Sequence, residues 1–503
     1  AGDASTAETI LLSMMSLHSS SLKEGGGPYQ HVRPNTRTFN VVLNAWSKSG
    51  GVDGGMRAQQ FLDHLEETAS NGDGLAQVDV ISYNTVLAAW AKSSSVNPSS
   101  LESEESTQSS IIVGESAAYE ALKLLDKIEH RYMESRGNRV VKPDVISYNT
   151  TIAAFANAAQ HSKNGSSLAE EAEAILSRMK TFDIKPDDYS HNGVLLAWAR
   201  SSGGLRVARR AESILRSMKA PSIVSWSAVV TAYAHADDAP KAESLLREME
   251  QSGSNTITPS IVLYNNVLHA WGKSSDVDAS HKAEALLNRM ENTASGLPKP
   301  DVISYRLVLT ALEHTKDPDK AERAKSVLDR LLASVEGQSD YGADPREIQN
   351  AYNSVLTACA YTPADAGKYH RNNASRILVE TLRDMNWLRL SADGRSSIDG
   401  PNQESYALFM QGCTHLFEPN TEEQKMLLKS ALRECCSKGL LNNVIWEKFC
   451  NASRPELVKT FIEEKFSSSG AGLDVVKGRT EEQKNGVWKY VDLPKEWSRN
   501  CSR

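Results

Sequence analysis

An all-α solenoid of stacked helix-turn-helix repeats is the fold class this sequence predicts, on three observations. The first is a recurring phrase, Asp144-Val-Ile-Ser-Tyr148-Asn149, which returns as Asp79-Val-Ile-Ser-Tyr83-Asn84 and Asp301-Val-Ile-Ser-Tyr305-Arg306. It is blurred to Asn35-Thr-Arg-Thr-Phe39-Asn40, Asp187-Asp-Tyr-Ser-His191-Asn192, Ser222-Ile-Val-Ser-Trp226-Ser227 and Ser260-Ile-Val-Leu-Tyr264-Asn265, with weaker copies at Tyr352-Asn353 and Tyr406-Ala407. The second is a companion motif, Ala172-Glu-Ala-Ile175-Leu176-Ser-Arg-Met179, repeated from Ala211 to Met218 and from Ala283 to Met290. The third is apolar spacing of i, i+3, i+4, i+7 in both motifs. A unit copied this often buries its faces against its own neighbours.

Each unit therefore reads as two helices. In the first, Tyr83, Val86, Leu87 and Trp90 form one stripe, and Phe39, Val42, Leu43 and Trp46 repeat it. Ser82, Ser147, Ser190, Ser225 and Ser304 are placed to act as N-caps. In the second, Ala242, Leu245, Leu246 and Met249 give the same spacing, with small alanines allowing close approach. Pro143, Pro186, Pro221, Pro259 and Pro300 are read as the stops of the second helices. Measured at the residue after the aromatic, successive spacings are 44, 65, 43, 35, 38, 41, 47 and 54, so 35 is the basic unit and the excess is loop insertion. The insertion near 94–110, rich in Ser and Glu, is expected to be disordered.

The resulting division is a partial repeat over 1–35 (second helix only, at a cut or processed end), then repeats at 36–79, 80–144, 145–187, 188–222, 223–260 and 261–301. Degenerate repeats follow at 302–348, 349–402 and 403–441, with a helical cap and tail over 442–503 that includes a helix over 454–466.

Composition bounds the function. The 503 residues are 40% hydrophobic and 24% charged, as suits a folded chain with no membrane span. A net charge of −7 excludes nucleic-acid binding by bulk charge and leaves only a local basic stripe. The six cysteines, Cys359, Cys413, Cys435, Cys436, Cys450 and Cys501, have no C-x-x-C spacing, which argues against a zinc site or a disulfide framework. His64-Leu-Glu66 has no partner cysteines for a deaminase centre, and no phosphate loop is present. No catalytic residue, metal or cofactor is expected.

The aromatic-Asn opening, the Ala-Glu-x-Leu-Leu-x-x-Met second helix and the Pro-Asp ending resemble the pentatricopeptide repeat family, as a P-type array, over about residues 7–441. The ending Leu493-Pro-Lys-Glu-Trp497-Ser-Arg-Asn500 is similar to that of algal members, with Trp497 expected to dock the tail. The tetratricopeptide pattern of Trp and Leu-Gly early in the first helix is absent. The resemblance implies a right-handed α-solenoid that binds single-stranded RNA, one base per repeat, without catalysis, as a monomer in a mitochondrion or plastid. It also implies a role in RNA processing, stability or translation, with protein partners supplying any chemistry.

By that resemblance, two positions read each base: the residue after the aromatic and the last residue of the unit. The pairs are Asn40 with Asp79, Asn84 with Asp144, Asn149 with Asp187, and Asn265 with Asp301, each implying U. Asn192 with Ser222 implies C, as does Asn353 with Asn402. Ser227 with Ser260 is ambiguous and Arg306 with Ile348 has no reading. The implied target is 5′-UUUC-n-U-3′, rich in U and C and parallel to the chain. The base clamp falls on Ile81, Ile146, Tyr189, Val224, Val262 and Ile303, while Arg37, Asn350 and Glu404 stand there in the flanking units. Eight residues past the reading position, Lys48, Lys92, Arg200 and Lys273 form a candidate phosphate column. Each feature has a plainer reading: the Asp as a turn and cap residue, the aliphatics as packing, the cations as solvated helix ends. A protein-interaction scaffold using the same groove is the alternative function.

Overall fold

The computed structural model describes residues 4–23, 32, 34–49, 53–70, 78–95, 104–134, 141–160, 162–201, 203–251, 258–292, 296–336, 344–390, 400–468, 493 and 495–499. These residues form helices, turns and connecting segments, with no strand among them. The chain divides after Pro259 into two compact units.

The first unit holds α1 (Ala4–Lys23), α2 (Thr36–Ser49), α3 (Asp53–Ser70), α4 (Val80–Ser93), α5 (Glu104–Glu134), α6 (Val145–Ala159), α7 (Gly165–Thr181), α8 (Asp188–Arg200), α9 (Gly204–Ser217), α10 (Ile223–His235) and α11 (Ala239–Gln251). α2, α4, α6, α8 and α10 pack side by side, and α3, α5, α7, α9 and α11 cover them as a second layer. The second unit repeats the arrangement. Its α12 (Ile261–Lys273), α14 (Val302–His314), α16 (Pro345–Ala360), α18 (Gln403–Leu416) and α20 (Asn443–Ala452) form one layer. Its α13 (Ala279–Glu291), α15 (Lys320–Glu336), α17 (Lys368–Leu390) and α19 (Glu422–Lys438) form the other, and α21 (Pro455–Ser468) follows. Each unit is thus a solenoid of helix pairs.

The predicted stripes are the core. Tyr83, Val86 and Leu87 are fully buried, as are Ala172, Ala242, Leu245, Leu246 and Met249. Close approach is visible at Gly193, where a Cβ would lie 2.7 Å from Ile152 Cγ2, so α8 meets α6 where only glycine fits.

A second set of contacts ties Tyr83, Tyr148 and Tyr305 to the preceding second helix. Tyr83 Oη donates to Glu66 at 2.5 Å, and Lys127 and Arg131 of α5 reach the same carboxylate at 2.6 and 3.0 Å. Tyr148 donates to Glu129 at 2.7 Å, with Arg178 of α7 paired to that carboxylate. Tyr305, Glu291 and Arg330 repeat the lock in the second unit, at 2.9 and 2.8 Å. Burial and then the carboxylate push these phenols above their ordinary range, Tyr305 to about 12.

Three expectations need correction. The serines are not the N-caps. Asp79, Asp144, Asp187, Ser222 and Asp301 are, each accepting from the serine amide three residues on, so Ser82, Ser147, Ser190, Ser225 and Ser304 close capping boxes at N3. The prolines do not stop the second helices either. α7 ends at Thr181 and turns at Asp183 in the left-handed region (φ 56°), and Pro186 follows just ahead of the Asp187 cap. Of the segment 94–110, residues 94–95 form a turn, 96–103 lie outside the described residues, and 104–110 are the opening turns of α5. Once the apolar part of α5 (Ala117, Ala118, Ala121, Leu124, Leu125) is docked, each further residue adds a backbone hydrogen bond without a new nucleus.

The helix expected over 454–466 is α21. Trp497 docks as expected: its carbonyl accepts from the Leu441 amide at 2.8 Å, and its ring meets Phe461 edge-on. The expectation for residues 469–492 of the tail lies outside the described residues.

Candidate nucleic-acid interface

The capping boxes bring the paired positions together. Asn84 leaves the first turns of α4 and its Nδ2 donates to Asp144 Oδ1, the N-cap of α6, at 3.0 Å. Asn40 reaches Asp79 at 3.3 Å, Asn149 reaches Asp187 at 3.0 Å and Asn265 reaches Asp301 at 3.2 Å. Asn192 reaches the Ser222 hydroxyl at 3.3 Å. In every case the partner caps the next first helix, so within each compact unit these asparagines lie at the N-terminal ends of the first-helix layer. For Asp187, burial opposes ionisation, but bonds from Ser190 and Asn149 outweigh it and hold the carboxyl below its ordinary value of 3.8.

The pair Ser227 and Ser260 is divided between the two compact units. Ser260 caps α12 without a side-chain cap bond.

The six clamp positions are exposed although large and apolar. Their exposure runs from 41% at Ile303 to 79% at Tyr189, with Ile81, Ile146, Val224 and Val262 between. Packing between repeats does not account for side chains left this open, and six in register is more than scattered surface apolarity.

The four cations divide. Lys48 and Lys273 are exposed. Lys92 Nζ donates to the Ser47 carbonyl at 2.9 Å, and Arg200 Nη1 donates to Asn157 Oδ1 at 3.1 Å. Both brace the end of the preceding first helix, a favourable place for a cation. Asn157 holds the same column position in its own unit and donates to the Ala91 carbonyl at 3.0 Å.

The second unit closes this arrangement towards its end. Arg306 Nε lies 2.5 Å from Glu347 in an ion pair. Ile348 is buried inside α16, which starts a turn early at the Asp344 cap. Asn353 is buried, and its Nδ2 donates to Glu404 at 3.1 Å and to Asn402 at 3.5 Å.

One unit escaped the sequence reading. Asn442 caps α20, accepting from the Ile445 amide at 2.9 Å; Val444 is exposed, Trp446 is buried and Glu447 follows. That is the register of Asp144, Ile146, Tyr148 and Asn149, so α20 packs on α18 as the first helix of a further pair. The Asn442-to-Trp446 spacing was the available signal.

The model of the pentatricopeptide repeat matches residues 224–254, which is one copy of the unit whose caps and stripes recur through both compact units. Over those residues the chain carries a pentatricopeptide repeat. A mitochondrial pentatricopeptide repeat-containing protein of Arabidopsis thaliana is 26% identical over 116 residues, 23% of this chain. The chain spans only 17% of that relative's length. Among solved structures, maize PPR10 aligns over 92% of this chain and 61% of its own at 17% identity and a TM-score of 0.42. PPR10 in complex with an 18-nucleotide psaJ RNA element aligns over 85% of this chain and 59% of its own, at 19% identity and 0.38. Chemically, the row of amides and carboxylates between exposed apolar side chains, with cations about 12 Å along each helix, suits planar groups with hydrogen-bonding edges on an anionic backbone.

Proposed function

We propose that this chain is a pentatricopeptide repeat protein that binds single-stranded RNA selectively, one base per unit, and acts in a mitochondrion or plastid on transcript processing, stability or translation. The carrying observation is the same edge pairing in each compact unit, Asn40–Asp79 to Asn192–Ser222 in the first and Asn265–Asp301 in the second, beside exposed apolar side chains. Spacing favours an unpaired strand. Packed helices lie about 8–10 Å apart, whereas stacked nucleotides advance about 3.4 Å, so a one-to-one match requires bases splayed apart. An Asn amide offers both donor and acceptor to a base edge; a neighbouring carboxylate can accept from the N3–H that U has and C lacks, while the Ser222 hydroxyl can donate to the N3 of C, which supports U at the Asp units and C at Asn192–Ser222. Lys48, Lys92, Arg200 and Lys273 would meet phosphates, and Ile81, Ile146, Tyr189, Val224, Val262 and Ile303 would hold the bases. The protein acts by occupancy as a monomer, with catalysis left to partners. The closed edges at Arg306 and Asn353 end the working site at Asp301.

The test is binding of a 5′-UUUCnU-3′ oligonucleotide by Asn84→Ala and Asn149→Ala proteins. Each should weaken binding about tenfold, the worth of a hydrogen bond to a desolvated base edge, and blur the preference at its own place. Unchanged binding in both would point to a peptide scaffold.

A further inference from the structure

We infer that the serine one residue before each aromatic is a positioning residue for base choice: it fixes which way the reading amide of the preceding unit faces. The inference rests on the base-reading function proposed above and goes beyond the two positions assigned to it.

The geometry is repeated six times. Ser82 Oγ donates to Asn40 Oδ1 at 2.7 Å, Ser147 to Asn84 at 2.7 Å and Ser190 to Asn149 at 2.6 Å. Ser225 donates to Asn192 at 2.6 Å, Ser304 to Asn265 at 2.7 Å and Ser405 to Asn353 at 2.6 Å. These serines are buried, so none can touch a base itself. Each also accepts from the N-cap amide, as Ser147 does from Asp144 at 3.2 Å. Its single hydrogen has two oxygens in reach: for Ser147, Asp144 Oδ1 at 3.0 Å and Asn84 Oδ1 at 2.7 Å. The N-cap oxygen already takes the serine amide and the Asn Nδ2, so the shorter contact to Asn Oδ1 is the one favoured for the hydroxyl proton. Nδ2 is then turned to the N-cap and to the open edge. A flipped amide would set two hydrogen-bond acceptors, Oδ1 and the carboxylate, against each other.

The sequence carries an independent sign of the same pairing. Wherever the reading position is Asn and a first helix follows, the residue before the next aromatic is Ser. Where it is Ser227, Arg306 or Ala407, that residue is Leu263, Ala351 or Ile445. Capping does not explain this, because Asn442 caps α20 with Ile445 at N3. The serine goes with the asparagine, not with the cap.

The units differ in a useful way. At Asn84 and Asn149 the aspartate alone would still oppose a flip. At Asn192 the N-cap is Ser222, whose hydroxyl can accept or donate and lies 3.0 Å from Ser225 Oγ, so no carboxylate opposes a flip there and the amide depends on the Ser225 bond to Oδ1 at 2.6 Å.

The experiment uses the full chain and RNA oligonucleotides varied at the base opposite Asn192 or Asn84, with affinity read by fluorescence anisotropy. Ser225→Ala should cut base discrimination at its place about tenfold, the worth of one hydrogen bond, while affinity for the preferred base changes by less than about threefold. Ser147→Ala should cut it by only about threefold, because Asp144 remains. Ser225→Thr should restore discrimination, as the chain itself uses Thr38 at this place with the same capping bonds. If Ser225→Ala does not fold, Ser225→Cys keeps the shape with a weak donor and should show an intermediate loss. Wild-type discrimination in the Ala or Cys protein, with only a lowered melting temperature, makes the serine a cap and overturns the inference. If the wild type and Asn192→Ala bind all four bases alike, base reading itself has failed and the inference falls with it.

Discussion

Asp144 is both the N-cap of α6 and the last residue of its unit, and two substitutions separate these roles. Asp144 Oδ1 accepts from the Ser147 amide at 2.9 Å and from Asn84 Nδ2 at 3.0 Å. Asp144→Ala removes both. Loss of an N-cap costs about 0.5–2 kcal/mol, and the half-exposed Asn84 amide can turn to water, so its share is small. A cost near ~1.5 kcal/mol should lower the melting temperature of a unit of this size by about 3–6 °C. Asp144→Asn is different. Asn caps as well as Asp, so melting should move by less than about 2 °C. The carboxylate is gone, however, and preference at that base should pass from U to C by about tenfold. Calorimetry on the three proteins, with anisotropy against RNAs carrying U or C at that place, reads both effects. An Asp144→Ala protein melting like the wild type would remove the capping account. An Asp144→Asn protein that keeps its preference for U would remove the reading role.

Other perturbations give separate outcomes. Ile146→Ser with Tyr189→Ser should leave melting unchanged, because both side chains are already exposed, yet weaken RNA binding by up to about 1–3 kcal/mol per base; unchanged affinity would return these residues to plain surface. Lys92→Ala with Lys273→Ala should flatten the log-log salt dependence of binding by about 1.4 for two phosphates on a single strand, and an unaltered slope would exclude phosphate contact. Tyr148→Phe should destabilise the first unit by about 1–2 kcal/mol, since Glu129 loses a buried donor, without changing base preference. For Asp187, whose folded carboxyl titrates below its ordinary 3.8, the stabilising contribution is complete above that value and is lost as pH falls through the lower folded one. Acid melting curves of Asp187→Asn should therefore be flatter than those of the wild type below about pH 4; parallel curves would contradict this.

The helix pairs, the stripes and the edge row were legible because they depend on local periodicity, which loop insertions do not disturb. Caps were mislocated by three residues because Asp144 and Ser147 are both good cap formers, and only geometry tells which one begins the helix. The Tyr148–Glu129 and Tyr83–Glu66 locks could not be read, since the partner lies in the preceding second helix at a distance that varies with the loop. Closure at Arg306 was half visible: an arginine in place of asparagine was plain, but its Glu347 partner exists only because α16 starts a turn early. The pair beginning at α20 was hidden by Glu447 and Ile445, which replace the two residues that make the phrase recognisable.

Selection from a random single-stranded RNA pool tests the central claim most directly. The account predicts enrichment of a pyrimidine-rich motif near 5′-UUUCnU-3′, with no preference at the fifth place, where Ser227 stands. Enrichment of no motif, or of duplex RNA, would contradict it.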